Sequence, residues 1–221
     1  MKAVNHFIQG VVAIVLWCCF SLASAEVITQ NRTVEADDLS LDNQGVVVDG
    51  ATLTINGTHR FASLELKNGA TLTHSVEVEA KLDLFIEGVL HVDSSSSVNA
   101  NAKGKPRPSA AHSYVGGSYG GRGGFYGSNQ SDEEFGSYTS PTDYGVGGSA
   151  GRGGGAVKLT AGEMKLDGRI QADGSSVTSG GGAGSGGSVW LSANTLSGAG
   201  AISASGGNGR SGNYGGGGGG G

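Results

Sequence analysis

Beyond its first 25 residues the sequence has no cysteine, since Cys18 and Cys19 both fall in an apolar N-terminal run. A disulfide framework, a thiol nucleophile and a thiolate metal site are therefore excluded from the remainder. Only three prolines are present and the 44 glycines follow no Gly-X-Y period, so the chain is not collagenous. It has no basic patch with interleaved aromatics, and its formal charge of −5 gives no reason to expect a nucleic-acid partner. No stretch after the first 25 residues sustains apolar residues at i, i+3, i+4 and i+7, so no helix is expected there. His59, His74, His91 and His112 lack the spacing of metal ligands, and His6 lies in the N-terminal run.

What the N-terminus does have is Lys2, the apolar stretch FIQGVVAIVLWCCFSLA and the small-residue triplet Ala23-Ser24-Ala25. This is the pattern of a cleaved export signal over residues 1–25. Gln9 and Ser21 interrupt the stretch, which is shorter than the roughly 20 apolar residues of a spanning helix. Trp17 before Cys18 does not fit a lipoprotein site. A secreted or cell-surface product that does not span the membrane is expected, and export without disulfides suits a bacterial protein. Asn31, Asn56 and Asn129 fit the N-glycosylation pattern, which matters only in a eukaryotic host.

From Val27 to Val98 short runs alternate apolar and polar residues, punctuated by the turn dipeptides Asp49-Gly50, Asn56-Gly57 and Asn68-Gly69. GATLT begins at Gly50 and again 19 residues later at Gly69, and Gly88 follows at the same interval. A longer repeat is clearer. GAVKLTAGEMKLDGRIQADG, from Gly155, aligns without a gap with GSVWLSANTLSGAGAISASG, from Gly187, at an offset of 32. Val157 meets Val189, Leu159 meets Leu191, Met164 meets Leu196 and Ile170 meets Ile202. GVLHVDSSSSVNANAKG, from Gly88, reads as a third, diverged unit. Strands are expected near Ser188–Ala193 and Ala201–Ala204, with Val189, Leu191, Leu196 and Ile202 inward and Trp190 outward. One such unit cannot bury its own apolar face, whereas a stack of them can.

Residues 26–103 are thus read as N-terminal solenoid turns and 155–221 as glycine-rich solenoid repeats. The chain stops within GGGGGGG without a capping unit, so a truncated stack is expected. Between them, residues 104–154 form a Gly/Ser/Tyr-rich excursion, too long for an ordinary loop. Tyr114, Tyr119, Phe125, Tyr126, Tyr138 and Tyr144 lie in it and are the candidate partner contacts, because Tyr set among Gly and Ser is the composition of adaptable contact loops.

No motif names a chemistry. Gly182–Gly187 satisfies G-x-G-x-x-G, but a glycine run precedes it and a strand follows, the wrong context for a dinucleotide. Ser118 and Ser149 match G-x-S-x-G without the strand and helix of a nucleophile elbow. Asp37, Asp38 and Asp42 read as a solvated strand end rather than a calcium site, and Asp132-Glu133-Glu134 as a charged loop. The aspartate of calcium-binding nonapeptides is missing from GGNGRSGNY, Gly206 to Tyr214. Thr52, Thr54, Thr71 and Thr73 make a ladder of two rungs, too few for an ice-binding face. No cofactor, no metal and no catalytic residue is expected.

The glycine-rich units, with the leader and the polyglycine end, resemble repeats of large secreted or surface bacterial proteins. Those are similar to the right-handed parallel β-helices of adhesins and autotransporter passengers. The resemblance covers about residues 40–221. It is one of turns and alternation, and it carries over no catalytic or binding residue. Within these residues there is no membrane barrel of the kind that ends an autotransporter. The resemblance implies an all-β, right-handed parallel β-helix with a long excursion. It also implies a non-enzymatic structural or adhesive module that contacts glycans, extracellular matrix or a cell surface. The alternative is a polysaccharide-active β-helix lyase or hydrolase, for which Glu77, Glu79, Lys81 and Asp83 are the strand-borne candidates.

Overall fold

A computed structural model of the chain describes residues 25–76, 81–107, 114–125, 127–178, 180–210 and 217–220. Every regular element among them is a strand. In chain order these are β1 (Glu26–Ile28), β2 (Arg32–Val34), β3 (Gly45–Asp49), β4 (Thr52–Ile55), β5 (Gly57–Phe61), β6 (Ser63–Lys67) and β7 (Thr71–Thr73). There follow β8 (Leu82–Val92), β9 (Ser97–Asn99), β10 (Ala156–Leu166), β11 (Arg169–Gln171), β12 (Ser188–Ser197) and β13 (Ala201–Ser203).

The strands form two sheets. One has the order β1-β3-β6-β8-β10-β12, with β5 also on β8; the other has the order β13-β11-β9-β7-β4-β2. Neighbouring strands in both are parallel. Among the described residues the expectation of an all-β, parallel, helix-free architecture is met.

Alternation fixes which side chains turn inward, because successive Cβ atoms leave opposite faces of a strand. Like residues then stack in rows across the strands. Val46, Leu64, Leu90, Met164 and Leu196 are register partners in the first sheet. In the second sheet the row is Leu53, Leu72, Val98, Ile170 and Ile202. Rows from both sheets join one apolar cluster that includes Leu53, Phe61, Leu84, Leu159 and Ile170. Each fully buried Leu or Ile contributes about 1.5–3 kcal/mol by leaving water.

The 32-residue alignment is the physical register. Ala156 to Lys165 pair with Ser188 to Ser197 at that offset, and Arg169–Gln171 pair with Ala201–Ser203. The 19-residue interval is real from β4 to β7 but does not continue to Gly88. The Gly69 amide instead bonds to Ser95 Oγ, 26 residues on, and Gly88 sits over Ala62, whose carbonyl accepts the Gly88 N–H at 2.9 Å. The extra length enters between β7 and β8. The third unit is where it was expected, since Val98 and Ile202 both pair with Ile170.

Residues 104–154 do not leave the body of the protein as an isolated excursion. Their described part packs backbone on backbone with 172–187, 206–207 and 217–220. Gly117 N–H bonds to Ala183 O, Gly145 to Gly154 O, Gly154 to Ser185 O, Gly218 to Gly207 O and Gly219 to Gly117 O, each at 2.9 Å. None of these runs is a strand. Glycine is needed here for close approach, because a Cβ on Gly145, Gly154 or Gly187 would overlap the backbone of a neighbouring run. The sequence looks like linker, yet Gly182 to Gly187 are all buried.

Candidate functional site

Where the glycine body meets β12 and β13 a groove of about 500 Å³ opens, lined by Tyr119, Phe135, Tyr138, Pro141, Val189 and Ile202, with Glu134, Ser137 and Ser203 among its polar groups. Its floor is built on Tyr119. That ring packs edge-on against Phe135, with centroids 5.2 Å apart, and Gly136 turns beside it at φ +95°, where any Cβ would strike the ring. Ser188 Oγ donates to Asp143 O at 2.6 Å, so the Tyr119 hydroxyl donates to Ser188 Oγ, also at 2.6 Å. Tyr119 is thereby fixed as a wall. Tyr138 at the rim is 98% exposed and Phe135 is 42% exposed.

The six aromatics chosen from the sequence divide. Tyr119 and Tyr144 are buried, at 2% and 3% exposure, and Tyr119 meets the groove from below rather than from the open surface. Tyr144 packs against His74 at 5.9 Å between ring centroids, and Lys81 Nζ lies 5.6 Å from its ring. Phe125 and Tyr138 face solvent, at 70% and 98%. Tyr114 is half-buried with φ +68°, and its N–H bonds to Ser149 Oγ at 2.9 Å. Tyr126 lies outside the described residues, as does His112. Phe135 and Pro141, which complete the groove, carry no sequence signal beyond their presence in the aromatic stretch.

The strand-borne carboxylate and lysine candidates form no converging site. Glu77 and Glu79 lie outside the described residues. Asp83 accepts from Lys158 Nζ at 3.3 Å and from Thr58 Oγ1 at 3.3 Å. It belongs to an outward row in which Thr58, Asp83, Lys158 and Trp190 are register partners. Lys158 Nζ lies 5.5 Å from the Trp190 ring, which stands on the outward face as expected. In the adjoining row Arg60 lies 4.1 Å over Phe85. A smaller cavity of about 210 Å³ separates Lys81, Asp83 and Lys158 from Pro141 and Thr142. Among the described residues no three His, Cys, Asp or Glu side chains come together as a metal site.

Two histidines are structural. His59 is buried, and its Nδ1 lies 2.9 Å from Asp42 Oδ1. His74 is wedged between β7 and the start of β10. Its Nδ1–H donates to Ser75 O at 2.7 Å and its Nε2 accepts the Ala156 N–H at 3.3 Å, which selects the neutral Nδ1–H tautomer. Burial pushes its pKa from 6.5 down to about 4, against the opposing bond to Ser75 O. Of the three glycosylation-pattern asparagines, Asn56 is buried and bonded to Glu35 and Ser75, whereas Asn31 is exposed.

No helix among the described residues is long and apolar enough to cross a membrane. No protein-family model, curated protein or solved structure matches the chain.

Proposed function

We propose that the protein is an exported, non-enzymatic surface module: a right-handed parallel β-helix whose walls are the two sheets, serving a structural or adhesive role. Parallel strands stacked in two sheets, the last two turns at a 32-residue register, with like side chains in inward rows, support the solenoid reading. A strand–crossover–strand connection in parallel sheets is right-handed almost without exception. The N-terminal signal pattern supports export to the cell surface or medium.

The observation that carries the adhesive half is the groove. An exposed Phe135 and Tyr138 stand beside Glu134, Ser137 and Ser203, on a floor held rigid by Tyr119. Aromatic faces flanked by hydroxyls and a carboxylate suit the apolar faces and hydroxyls of a sugar ring. The partner class is a glycan of a cell surface or extracellular matrix. Binding of the purified protein to a glycan panel, to matrix and to cells tests it. Measurable binding that falls at least about tenfold in Tyr138→Ala, a loss of about 1.4 kcal/mol, is expected. Absence of binding to all three surfaces would leave only the structural role.

A further inference from the structure

The aromatic groove has a smaller neighbour, the cavity of about 210 Å³ lined by Lys81, Asp83, Pro141, Thr142 and Lys158. Pro141 lines both spaces, so they lie on either side of one proline. The strand register gives them a common direction. The groove reaches Ser188 and Val189 at the start of β12. The cavity reaches Ala156 and Val157 at the start of β10 and Leu82 at the start of β8. Val189 and Leu82 are both register partners of Val157. Neighbouring strands lie about 4.8 Å apart. Groove and cavity therefore follow one another across the starts of three adjacent strands, both bordered by the run 134–142.

The two spaces differ in charge. Among the described residues the groove is lined by one ionic group, Glu134, and by no cation. The cavity sets two ammoniums, Lys81 and Lys158, against the single carboxylate of Asp83, which leaves one positive charge in excess. Asp83 is committed to Lys158, whose Nζ lies 3.3 Å from Oδ2, and to the Thr58 hydroxyl. No described carboxylate pairs with Lys81. Its Nζ lies 5.6 Å from the Tyr144 ring, a contact that attracts a cation without neutralising it. Both lysines are half-buried, in a chain whose formal charge is −5.

We infer that this cavity is an acidic-sugar subsite of the groove. Lys81 and Lys158 hold the carboxylate of one sugar unit, and the adjoining uncharged unit lies on Phe135 and Tyr138. This subsite rests on the glycan reading of the groove and adds to it the charge of the ligand. Glu134 repels a carboxylate in the groove, whereas Lys81 attracts one in the cavity. The ligand therefore carries its acid on one sugar of each pair and not on every sugar. A charge-assisted hydrogen bond to a carboxylate is stronger in such a recess than on an open surface, because less water screens it. Pro141, at the junction, gives the link between the two units an apolar surface to cross.

The test is isothermal titration of the full chain, expressed with its own N-terminal segment so that any processing occurs. One probe is a hyaluronan hexasaccharide, in which acidic and uncharged sugars alternate. The other is its methyl ester, which has the same rings without the charge. The acid should bind at least about tenfold more tightly than the ester. Lys81→Gln should remove most of that preference and Lys81→Arg should keep it, with thermal melts of both variants matching the parent chain. Tyr138→Ala should weaken both probes alike. Equal binding of acid and ester would overturn the inference and leave the adhesive reading standing. A preference for the acid that survives both Lys81→Gln and Lys158→Gln would also overturn it. Binding of neither probe would overturn it as well, and the glycan panel then decides the adhesive reading separately.

Discussion

Gly151→Ala is the sharpest probe of the glycine body. A Cβ there would lie 2.6 Å from Gly184 N and 2.7 Å from Ser175 O, with Ala183 C at 3.1 Å. Ordinary contact begins near 3.4 Å, so the backbone would have to yield by roughly 0.7 Å in two directions at once. Nothing nearby is free to yield. Gly151 N–H bonds to Gly182 O at 3.0 Å, Gly184 N–H to Ser175 O at 3.0 Å, and Ser175 N–H to Arg152 O at 2.8 Å. A shift of that size breaks at least one of these bonds and leaves buried groups unpaired, which costs about 1–3 kcal/mol per bond. Overpacking adds about 1–3 kcal/mol. The expected destabilisation is about 3–5 kcal/mol, a fall of melting temperature on the order of 10 °C for a chain of this length. Gly217→Ala is the matched control, because its nearest neighbour, Gly207 O, would stand at an ordinary 3.6 Å. That change should lie within about 0.5 kcal/mol of the parent, since it neither clashes nor takes up a left-handed residue. Urea unfolding monitored by far-UV circular dichroism gives both values. Equal stability of the two variants would refute the claim that close backbone approach, rather than flexibility, selects glycine here.

Three further outcomes follow from the same packing. His74 binds its proton more weakly folded than unfolded, with a pKa of about 4 against 6.5. Its contribution is therefore complete above pH 6.5 and is lost as pH falls toward 4, by about 3 kcal/mol; stability measured from pH 7 to pH 4 should fall accordingly, and His74→Gln should flatten that fall. Met164→Ala should cost about 2–5 kcal/mol and its register partner Leu196→Ala under about 1 kcal/mol, because only the first leaves a buried cavity; equal costs in urea unfolding would contradict the exposed end. Lys158→Ala removes a half-exposed pair with Asp83 and should cost under about 1 kcal/mol. It should also shift Trp190 emission, whereas an unchanged spectrum would place the ammonium away from the ring.

Repetition was legible wherever side chains make the contact. Val157, Leu159 and Ile170 find Val189, Leu191 and Ile202 at the offset the sequence displays, because a parallel register stacks like on like. The shorter interval misled beyond Gly69, since an added segment between β7 and β8 changes the spacing without changing the strands. Residues 104–154 were unreadable for a different reason. Glycine leaves no side-chain pattern, so a run packed through its backbone has the same composition as a loose tether. The groove inherits that difficulty. Nothing in the local sequence separates Tyr119, a buried wall, from Tyr138, an exposed rim.

The glycine body also governs when the molecule can fold. Among themselves strands β1 to β9 pair at separations of about 18 to 26 residues and can assemble early. Gly117 must wait for Ala183 and Gly219, and Gly121 for Gly220. Closing such distant pairs requires large loops to be formed before any contact rewards them. The bonds that tie Gly117 and Gly121 to Gly219 and Gly220 therefore form last, after the strands are in place.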